Sequence, residues 1–296
     1  MVRVAVIGMG NTGRACVRAV KAAPDMELAG MVYYKAAAIR KTGLDYEVVD
    51  TVDKLRSVEA ALLCVPTRVM PDTAESLLRQ GIHTADSFDV HSEIAAVRRR
   101  LDAAAKEAGR VAVVASGWDP GSDSVVRALM QAMAPNGVTF TNFGPGVSLG
   151  HSVAARKVPG VKDALSMTIP KGSGQHRRMV YVEIEDGADF EAVKAAVLAD
   201  PYFSRDESYV NLTGDVAALR STSHGVMIER LGGSGGTGNQ RFGYTHAIDG
   251  AALTAAMLVA SARAAVRQSP GAYTLIEIPA VDFLPGDREA WINQLV

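Results

Sequence analysis

Three glycines near the N-terminus restrict what this chain can fold into. Gly8, Gly10 and Gly13 form the pattern G-x-G-x-x-G directly after the apolar run Val2–Ile7 and at the start of a helical stretch, residues 12–22. The first glycine permits a tight turn, the second lets a pyrophosphate approach the backbone, and the third allows close packing of helix and strand. Free N–H groups at the helix N-terminus attract phosphate. The pattern predicts a dinucleotide-binding strand–helix–strand unit, with a tight turn that binds no ligand as the alternative.

The same alternation of strands and helices continues through the first 118 residues. The further predicted strands are residues 26–34, 60–65, 82–85 and 111–115, and the further predicted helices are 71–80 and 92–108. Right-handed crossovers between such strands give a doubly wound parallel sheet. We therefore predict an α/β fold with a Rossmann-type dinucleotide-binding domain over residues 1–118.

Strand signals dominate the second half of the chain. They cover residues 138–143, 165–169, 179–184, 209–212 and 225–231, with one helix at 190–199, and the glycine-rich residues 232–238 fit a mobile hairpin connection. Strands with few crossover helices predict an α+β domain with a mostly antiparallel sheet. We assign substrate binding and dimerisation to this domain, residues 119–250. Residues 251–296, with a helix at 251–267 and a strand at 273–278, are expected to return to the nucleotide domain.

The composition limits the kinds of partner. The chain has 296 residues, a formal net charge of −1 and no apolar run long enough to cross a bilayer, so we expect neither a nucleic-acid nor a membrane partner. The two cysteines, Cys16 and Cys64, lie in apolar segments, as is typical of reduced thiols in a cytosolic protein. The N-terminus runs directly into a strand without a signal peptide, which indicates a cytoplasmic location. We predict no metal site.

The choice between NADP and NAD is read at the end of the second predicted strand. An acid there holds the ribose 2′-hydroxyl of NAD, whereas an arginine favours the 2′-phosphate of NADP. This chain has neither and reads Tyr33, Tyr34 and Lys35. No carboxylate repels a phosphate, a tyrosine can stack on adenine, and Lys35, Arg40 and Lys41 supply positive charge, although Arg40 and Lys41 equally fit a solvated loop. We therefore predict NADP, with NAD as the alternative.

Three segments follow predicted parallel strands at the sheet edge where ligands bind in such folds. They are residues 64–67, 85–91 and 116–121, and they carry Asp86, Asp89 and Asp119. A cationic amine needs carboxylates of this kind for charge pairing and hydrogen bonding. The alternative is that these acids cap the helices that follow.

Several longer stretches resemble one family of amino-acid dehydrogenases. They are residues 8–14 (GMGNTGR), 63–68 (LCVPTR), 86–91 (DSFDVH), 115–124 (ASGWDPGSDS), 141–153 (TNFGPGVSLGHSV), 163–170 (DALSMTIP) and 285–291 (PGDREAW). Through them the whole chain resembles the meso-diaminopimelate dehydrogenase family. The resemblance implies a homodimeric, NADP-dependent enzyme of lysine and cell-wall biosynthesis. Its reaction is the reversible deamination of the D-centre of meso-2,6-diaminopimelate to L-2-amino-6-oxopimelate and ammonia.

The resemblance also implies roles for individual residues. Asp89 and Asp119 lie near the reacting amine, with Trp118 and Phe143 as walls of the site. Thr168, Arg178 and His224 recognise the distal L-centre, and Leu149, Gly150 and His151 line the same cavity. The cofactor residues, taken from the glycine pattern and the matching strand ends, are Gly8, Gly10, Asn11, Thr12, Gly13, Tyr33, Tyr34, Lys35, Cys64, Pro66, Thr67, Asp86 and Ser87. Each of the three residues assigned to the distal centre has an alternative. Thr168 could face solvent from a strand, Arg178 could belong to a surface run with Arg177, and His224 could be a turn residue.

Two departures from the family pattern bear on specificity. Tyr33 and Tyr34 replace two arginines, and Gly250 stands where the family offers an asparagine to the distal end of the substrate. Loss of one such hydrogen bond in a buried site typically costs ~1–3 kcal/mol. Two further functions therefore stay open: a dehydrogenase of broad specificity for simple D-amino acids and 2-keto acids, and a non-catalytic protein that senses NAD(P).

Overall fold

In a computed structural model, which describes residues 1–39, 43–219 and 224–296, the chain divides into two compact units. The first unit is residues 1–128 with 250–296, and the second is residues 129–249. The first unit continues past residue 118 because it includes the beginning of the helix that follows. Arg40 and Lys41 lie outside the described residues.

The secondary structure alternates in the first unit and is strand-rich in the second. The strands are β1 (Val2–Ile7), β2 (Met26–Val32), β3 (Val48–Val49), β4 (Ala60–Leu63), β5 (His83–Asp86), β6 (Val111–Val113), β7 (Asn136–Phe143), β8 (Gly146–Val147), β9 (Val161–Gly172), β10 (Gln175–Ile184), β11 (Glu207–Leu212), β12 (His224–Ser234), β13 (Thr237–Ile248) and β14 (Gly271–Tyr273). The α-helices are α1 (Asn11–Ala22), α2 (Ala36–Ile39), α3 (Met70–Arg79), α4 (Ile94–Ala108), α5 (Ser122–Met133), α6 (Leu149–Arg156), α7 (Phe190–Ala199), α8 (Gly250–Ala265) and α9 (Arg288–Leu295).

The first unit is built on a seven-stranded sheet in the order β14-β6-β5-β4-β1-β2-β3, and its strands pair in parallel. Apolar residues on α1 and α8, such as Cys16 and Leu258, cover one face of this sheet. Residues on α3 and α4, such as Leu78 and Leu101, cover the other face. Burial on both faces accounts for the nearly continuous apolar runs of the central strands. The predicted doubly wound Rossmann-type sheet is confirmed.

The strand predicted at residues 273–278 is wrong beyond Tyr273. Residues Leu275–Glu277 instead form a 3-10 turn, in which Thr274 and Glu277 cap each other reciprocally. The Glu277 carboxylate also accepts a hydrogen bond from Arg98 Nε at 2.8 Å. Local capping and this ion pair therefore outweigh the β-rich composition of the segment.

The second unit contains two sheets. One has the order β11-β10-β9-β8 and is antiparallel except for the β10–β11 pair, and the other has the order β13-β12-β7 and is antiparallel throughout. Valines on β10, including Val180 and Val182, pack with Val197 of α7 and Phe203 in a buried core. The predicted mostly antiparallel sheet structure is confirmed.

Sequence patterning missed several elements, of which β13 is the longest. Most of its residues are exposed, so it lacks the apolar alternation of a half-buried strand. It pairs with β12 through a tight turn at Gly235 and Gly236, both with positive φ, within the glycine-rich stretch predicted to be a hairpin connection. The helices α6 and α9 were also not predicted.

The glycine turn between β1 and α1 depends on close backbone contacts. Gly8 has a φ of +110°, and a Cβ there would overlap the carbonyl oxygen of Cys64. A Cβ on Gly13 would overlap the carbonyl oxygen of Gly8, whereas a Cβ on Gly10 would meet no atom within 4 Å. Gly8 and Gly13 are therefore required by packing, and Gly10 keeps an open approach to the backbone.

We expect Gly13→Ala to lower the free energy of unfolding by ~1–3 kcal/mol, because the added methyl group forces the helix away from the turn. Gly10→Ala is the matched control and should change stability by less than ~0.5 kcal/mol. Denaturant unfolding of the three proteins, followed by circular dichroism, measures the difference. Equal stabilities for the two variants would contradict the packing role of Gly13.

Candidate active site

The start of α1 provides backbone donors for a phosphate group. Gly10 is the N-cap, and among the described residues no side chain caps this helix. Gly10 and Asn11 are exposed, and Thr12 is half-buried. The first N–H groups of α1 thus point outward at the positive end of the helix dipole, as a pyrophosphate requires.

The residues after β2 form a small aromatic and cationic surface. The rings of Tyr33 and Tyr34 lie 4.7 Å apart, and Lys35 Nζ lies 5.2 Å from the centre of the Tyr34 ring. Hydrogen bonds from Tyr33 and Lys35 and the charge of Lys35 lower the pKa of Tyr34. The hydrogen bond with Tyr34 raises the pKa of Tyr33, and the positive charge of Arg14, on α1, acts to lower it. Sequence reasoning missed Arg14, which adds a second cation at this edge.

The segment after β4 connects predicted cofactor residues with a predicted catalytic acid. Cys64 contacts the glycine turn through its carbonyl group. The Thr67 hydroxyl donates a hydrogen bond to Asp89 Oδ1 at 2.6 Å, and Asp89 is exposed. Cys64 Sγ also lies 3.5 Å from Cys16 Sγ, and no disulfide joins them.

Asp86 is fully buried, so its side chain cannot contact a cofactor as predicted. Its Oδ1 accepts hydrogen bonds from the N–H groups of Phe88 at 2.9 Å and Ala115 at 3.0 Å. Ala115 has a positive φ of 54°. Asp86 therefore fixes the loops after β5 and β6, whereas the neighbouring Ser87 is partly accessible.

Asp119 is held by an arginine that sequence reasoning missed. Arg127 Nη1 donates to Asp119 Oδ1 at 2.7 Å, and Arg127 Nη2 donates to Oδ2 at 2.9 Å. The Asp119 side chain is 5% exposed and that of Arg127 is 26% exposed. The preceding Trp118 lies against the first residue of α8, since a Cβ on Gly250 would be 3.3 Å from Trp118 Nε1.

In the second unit, the structure brings Thr168 and Arg178 together. They are opposite each other on β9 and β10, and Arg178 Nη1 donates to the Thr168 hydroxyl. Arg178 Nε also donates to Asp206 Oδ2 at 2.6 Å. Thr168 is buried rather than solvent-facing, and Arg178 is only 13% exposed. Asp206 gave no sequence signal because it lies far from Arg178 along the chain.

His151 lies on α6 close to this cluster. Its Nδ1 is 2.9 Å from Ser148 Oγ, and its ring contacts Tyr202 edge-on. Burial and the charge of Arg178 lower the pKa of His151, which favours the neutral imidazole. Gly150 is exposed on the same helix, and the side chain of Leu149 is outside the description.

Phe143 lies near two histidines. Its ring centre is 6.2 Å from that of His224 and 6.3 Å from that of His176. His176 Nε2 accepts a hydrogen bond from the Phe143 N–H at 2.9 Å, and His224 Nδ1 lies 3.1 Å from the Val147 carbonyl oxygen. Burial lowers the pKa of both histidines. His176 was not predicted, because a histidine inside a strand carries no signal without its tertiary contact.

Each unit therefore carries one kind of charged site. The first unit has two carboxylates, Asp89 and Asp119, which suit an ammonium group. The second has the guanidinium of Arg178 with hydroxyl and imidazole neighbours, which suits a carboxylate. Within the described residues, no cluster of three His, Cys, Asp or Glu side chains could hold a metal ion. No helix in the described ranges is long and apolar enough to cross a membrane.

Burial of Asp86 predicts a pH-dependent stability. Desolvation raises the pKa of Asp86 to about 6, and no described residue donates a hydrogen bond to its Oδ2. Its unfolded pKa is about 3.9, so ionisation opposes folding and stability falls as the pH rises from about 4 to about 6. Asp86→Asn removes this titration and retains an acceptor at Oδ1.

We compare the free energy of unfolding of Asp86→Asn with that of the parent protein at two pH values. The difference, variant minus parent, should be larger at about pH 7 than at about pH 4, by as much as about 3 kcal/mol. Urea unfolding of both proteins at the two pH values measures this difference. A stability difference that does not change with pH would show that Asp86 does not titrate between these values.

Two domain models and several full-length relatives match the chain. Residues 117–174 match the diaminopimelic acid dehydrogenase C-terminal domain, and residues 1–88 match a CoA binding domain. The meso-diaminopimelate D-dehydrogenase of Bacteroides fragilis is 51% identical over 296 residues, which cover 100% of this chain and 99% of that protein.

Solved structures agree with the sequence relatives. The Corynebacterium glutamicum DAP dehydrogenase in complex with DAP is 30% identical, with a TM-score of 0.81, over 100% of this chain and 99% of that one. An engineered D-amino acid dehydrogenase bound to NADP+ is 30% identical, with a TM-score of 0.75 and the same coverage. The fold predicted from sequence and the resemblance stated there are both confirmed. The chain belongs to the meso-diaminopimelate D-dehydrogenase family, oxidoreductases that act on a CH–NH2 group.

Proposed function

We propose that the chain catalyses the reversible, NADP-dependent oxidative deamination of the D-centre of meso-2,6-diaminopimelate to L-2-amino-6-oxopimelate and ammonia. The observation that carries this proposal is the Arg178 site, a nearly buried guanidinium hydrogen-bonded to Thr168. A simple D-amino acid has one carboxylate, next to its reacting amine. A substrate with a second, distant carboxylate uses Arg178 as well.

The residues of the first unit fit a dinucleotide cofactor. The open backbone at Gly10 and the uncapped start of α1 suit a pyrophosphate. The nicotinamide, when bound, accepts the hydride from the substrate Cα. Tyr34, Lys35 and Arg14 form the surface that we assign to the adenosine end, and the absence of a carboxylate in the segment Tyr33–Lys35 favours NADP over NAD.

The two carboxylates act on the reacting amine. They compensate the charge of the substrate ammonium, and one of them accepts its proton as the Cα–H bond breaks. Water then adds to the imine carbon, the C–N bond breaks, and ammonia and the ketone are released. In the first unit, Trp118 is assigned as a wall that excludes other water from this amine.

A broad-specificity D-amino acid dehydrogenase is the second candidate. It is favoured by Gly250, which offers no amide to a substrate, and a relative of similar fold is described as an engineered D-amino acid dehydrogenase. We further assign the enzyme to the cytoplasm and expect a homodimer. The cross-strand pair Val138 and Leu231 supports dimerisation, since both apolar side chains are exposed on the second unit.

The proposed activity is tested by following nicotinamide reduction with either NADP or NAD. Meso-diaminopimelate, D-alanine and D-phenylalanine serve as substrates in parallel. We expect turnover of meso-diaminopimelate with NADP. Turnover of the simple D-amino acids alone would favour the second candidate, and no reduction in any combination would leave only the cofactor-sensing function.

Replacement of Arg178 should separate the two kinds of substrate. We expect Arg178→Ala to raise the KM for meso-diaminopimelate by ~10–100-fold, the value of a hydrogen bond to a charged group, with little effect on D-alanine. Arg177→Ala is the matched control, since Arg177 pairs with Glu207 at the surface. Steady-state kinetics of both variants measure the effect. Equal changes in KM for the two substrates would contradict the role of Arg178.

A further inference from the structure

We propose that Arg127 is a positioning residue that keeps Asp119 as a fixed negative charge, so that Asp89 is the carboxylate that exchanges the proton. The inference rests on the proposed function. Proton transfer from the amine needs a carboxylate with an accessible oxygen. The two acids differ in this property.

Both oxygens of Asp119 accept a hydrogen bond from Arg127. Arg127 donates to them at 2.7 and 2.9 Å, in the bidentate geometry that holds a carboxylate in one plane. Each oxygen keeps a second lone pair that can bind an ammonium N–H, but a proton there would neutralise the charge that the adjacent guanidinium pairs with and would weaken both hydrogen bonds. The carboxylate is also only 5% exposed.

Arg127 remains a cation in this position. Burial acts to lower its pKa, but the hydrogen bond and the charge of Asp119, with a further contribution from Asp123, outweigh burial and raise it. Asp123 is buried on the same helix and is a second acid that acts on this guanidinium. The group formed by Arg127, Asp119 and Asp123 can therefore attract an ammonium ion without taking up its proton.

Asp89 has the opposite environment. It is exposed, and the Thr67 hydroxyl is the partner that the described residues provide, at 2.6 Å from Oδ1. In the proposed step, Asp89 accepts one N–H proton from the substrate ammonium, the C=N bond forms, and the Cα–H electron pair leaves as hydride, for which the NADP of the proposed function would be the acceptor. Water then adds to the C=N carbon, the C–N bond breaks to release ammonia and the ketone, and Asp89 releases its proton to solvent.

The first test measures the protonation of Asp119 directly and does not depend on turnover. Infrared spectra of protein labelled with ¹³C-aspartate are recorded from mildly acidic to alkaline pH, and Asp119→Asn identifies the Asp119 band. We expect Asp119 to remain a carboxylate in the parent protein and in Arg100→Met, a control that removes another ion-paired arginine of the first unit. In Arg127→Met the Asp119 band should move, because the two hydrogen bonds that fix the carboxylate are lost. Protonation in the parent protein, or identical spectra in Arg127→Met, would overturn the proposal.

The second test distinguishes effects on kcat from effects on KM. With meso-diaminopimelate we expect Asp89→Asn to lower kcat by ~10²–10⁴-fold, the usual contribution of a general base. Asp119→Asn and Arg127→Met should mainly raise KM, with NADP binding unchanged, and Arg127→Lys should recover part of the loss. A kcat effect confined to Asp119→Asn would assign the proton to Asp119 instead. Inactivity of the parent protein would refute the proposed function and leave the infrared result to decide the role of Arg127.

From a separate observation, we propose that Asp206 selects substrates whose distal centre carries an ammonium group. Asp206 Oδ2 accepts from Arg178 Nε at 2.6 Å, and the Asp206 side chain is 27% exposed. Arg178 and Asp206 thus present a positive and a negative group side by side. The distal centre of the proposed substrate is a zwitterion with the complementary pair, an ammonium next to a carboxylate.

The matched test substrate is D-2-aminopimelate, which retains both carboxylates and lacks only the distal ammonium. We expect the parent protein to have a higher kcat/KM for meso-diaminopimelate than for D-2-aminopimelate. In Asp206→Asn the ratio of the two kcat/KM values should fall at least ~10-fold. Glu207→Gln is the control, because Glu207 pairs with Arg177. Calorimetric binding of both compounds gives the same comparison without turnover. An unchanged ratio in Asp206→Asn would overturn the assignment.

Discussion

The close backbone contact between the glycine turn and the segment after β4 is the constraint on which the first unit depends. Gly8 fits against the carbonyl group of Cys64, and Gly13 fits against Gly8. Since neither contact tolerates a side chain, the start of α1 is fixed at the carboxyl ends of β1 and β4. The same segment continues to Thr67, whose hydroxyl holds Asp89. One packing constraint therefore positions both the phosphate donors and a candidate catalytic acid.

The charged groups assigned to the substrate are already paired within the protein. Arg127 holds Asp119 in the first unit, and Asp206 holds Arg178 in the second. A buried charge without a partner is costly, so each pair compensates and orients the more buried of its two charges. A ligand that binds there must add interactions to an existing pair. This requirement favours ligands with well-placed opposite charges over ligands with a single charge.

Features that depend on residues close together in the chain were predicted from the sequence, and features that depend on tertiary contacts were not. The sheet of the first unit follows from local periodicity, and the glycine pattern follows from backbone geometry, so both were predicted. Arg127 and Asp206 were not predicted. Each acts through a tertiary contact with a predicted site residue, Asp119 or Arg178, and such a contact leaves no signal in the sequence. Asp86 was assigned to the cofactor because it follows a strand, but its burial depends on how β5 and β6 pack. The 3-10 turn at Leu275–Glu277 arises from capping, which a count of β-formers does not detect.

The glycine at position 250 affects more than a single lost hydrogen bond. A Cβ at this position would lie 3.3 Å from Trp118 Nε1, closer than an ordinary van der Waals contact, so any larger residue requires the indole to move. Trp118 directly precedes Asp119, which Arg127 holds in place. Introduction of an asparagine at Gly250 would thus displace the neighbour of a fixed carboxylate as well as add an amide. The departure from the family pattern at Gly250 is therefore coupled to the position of the Trp118 indole.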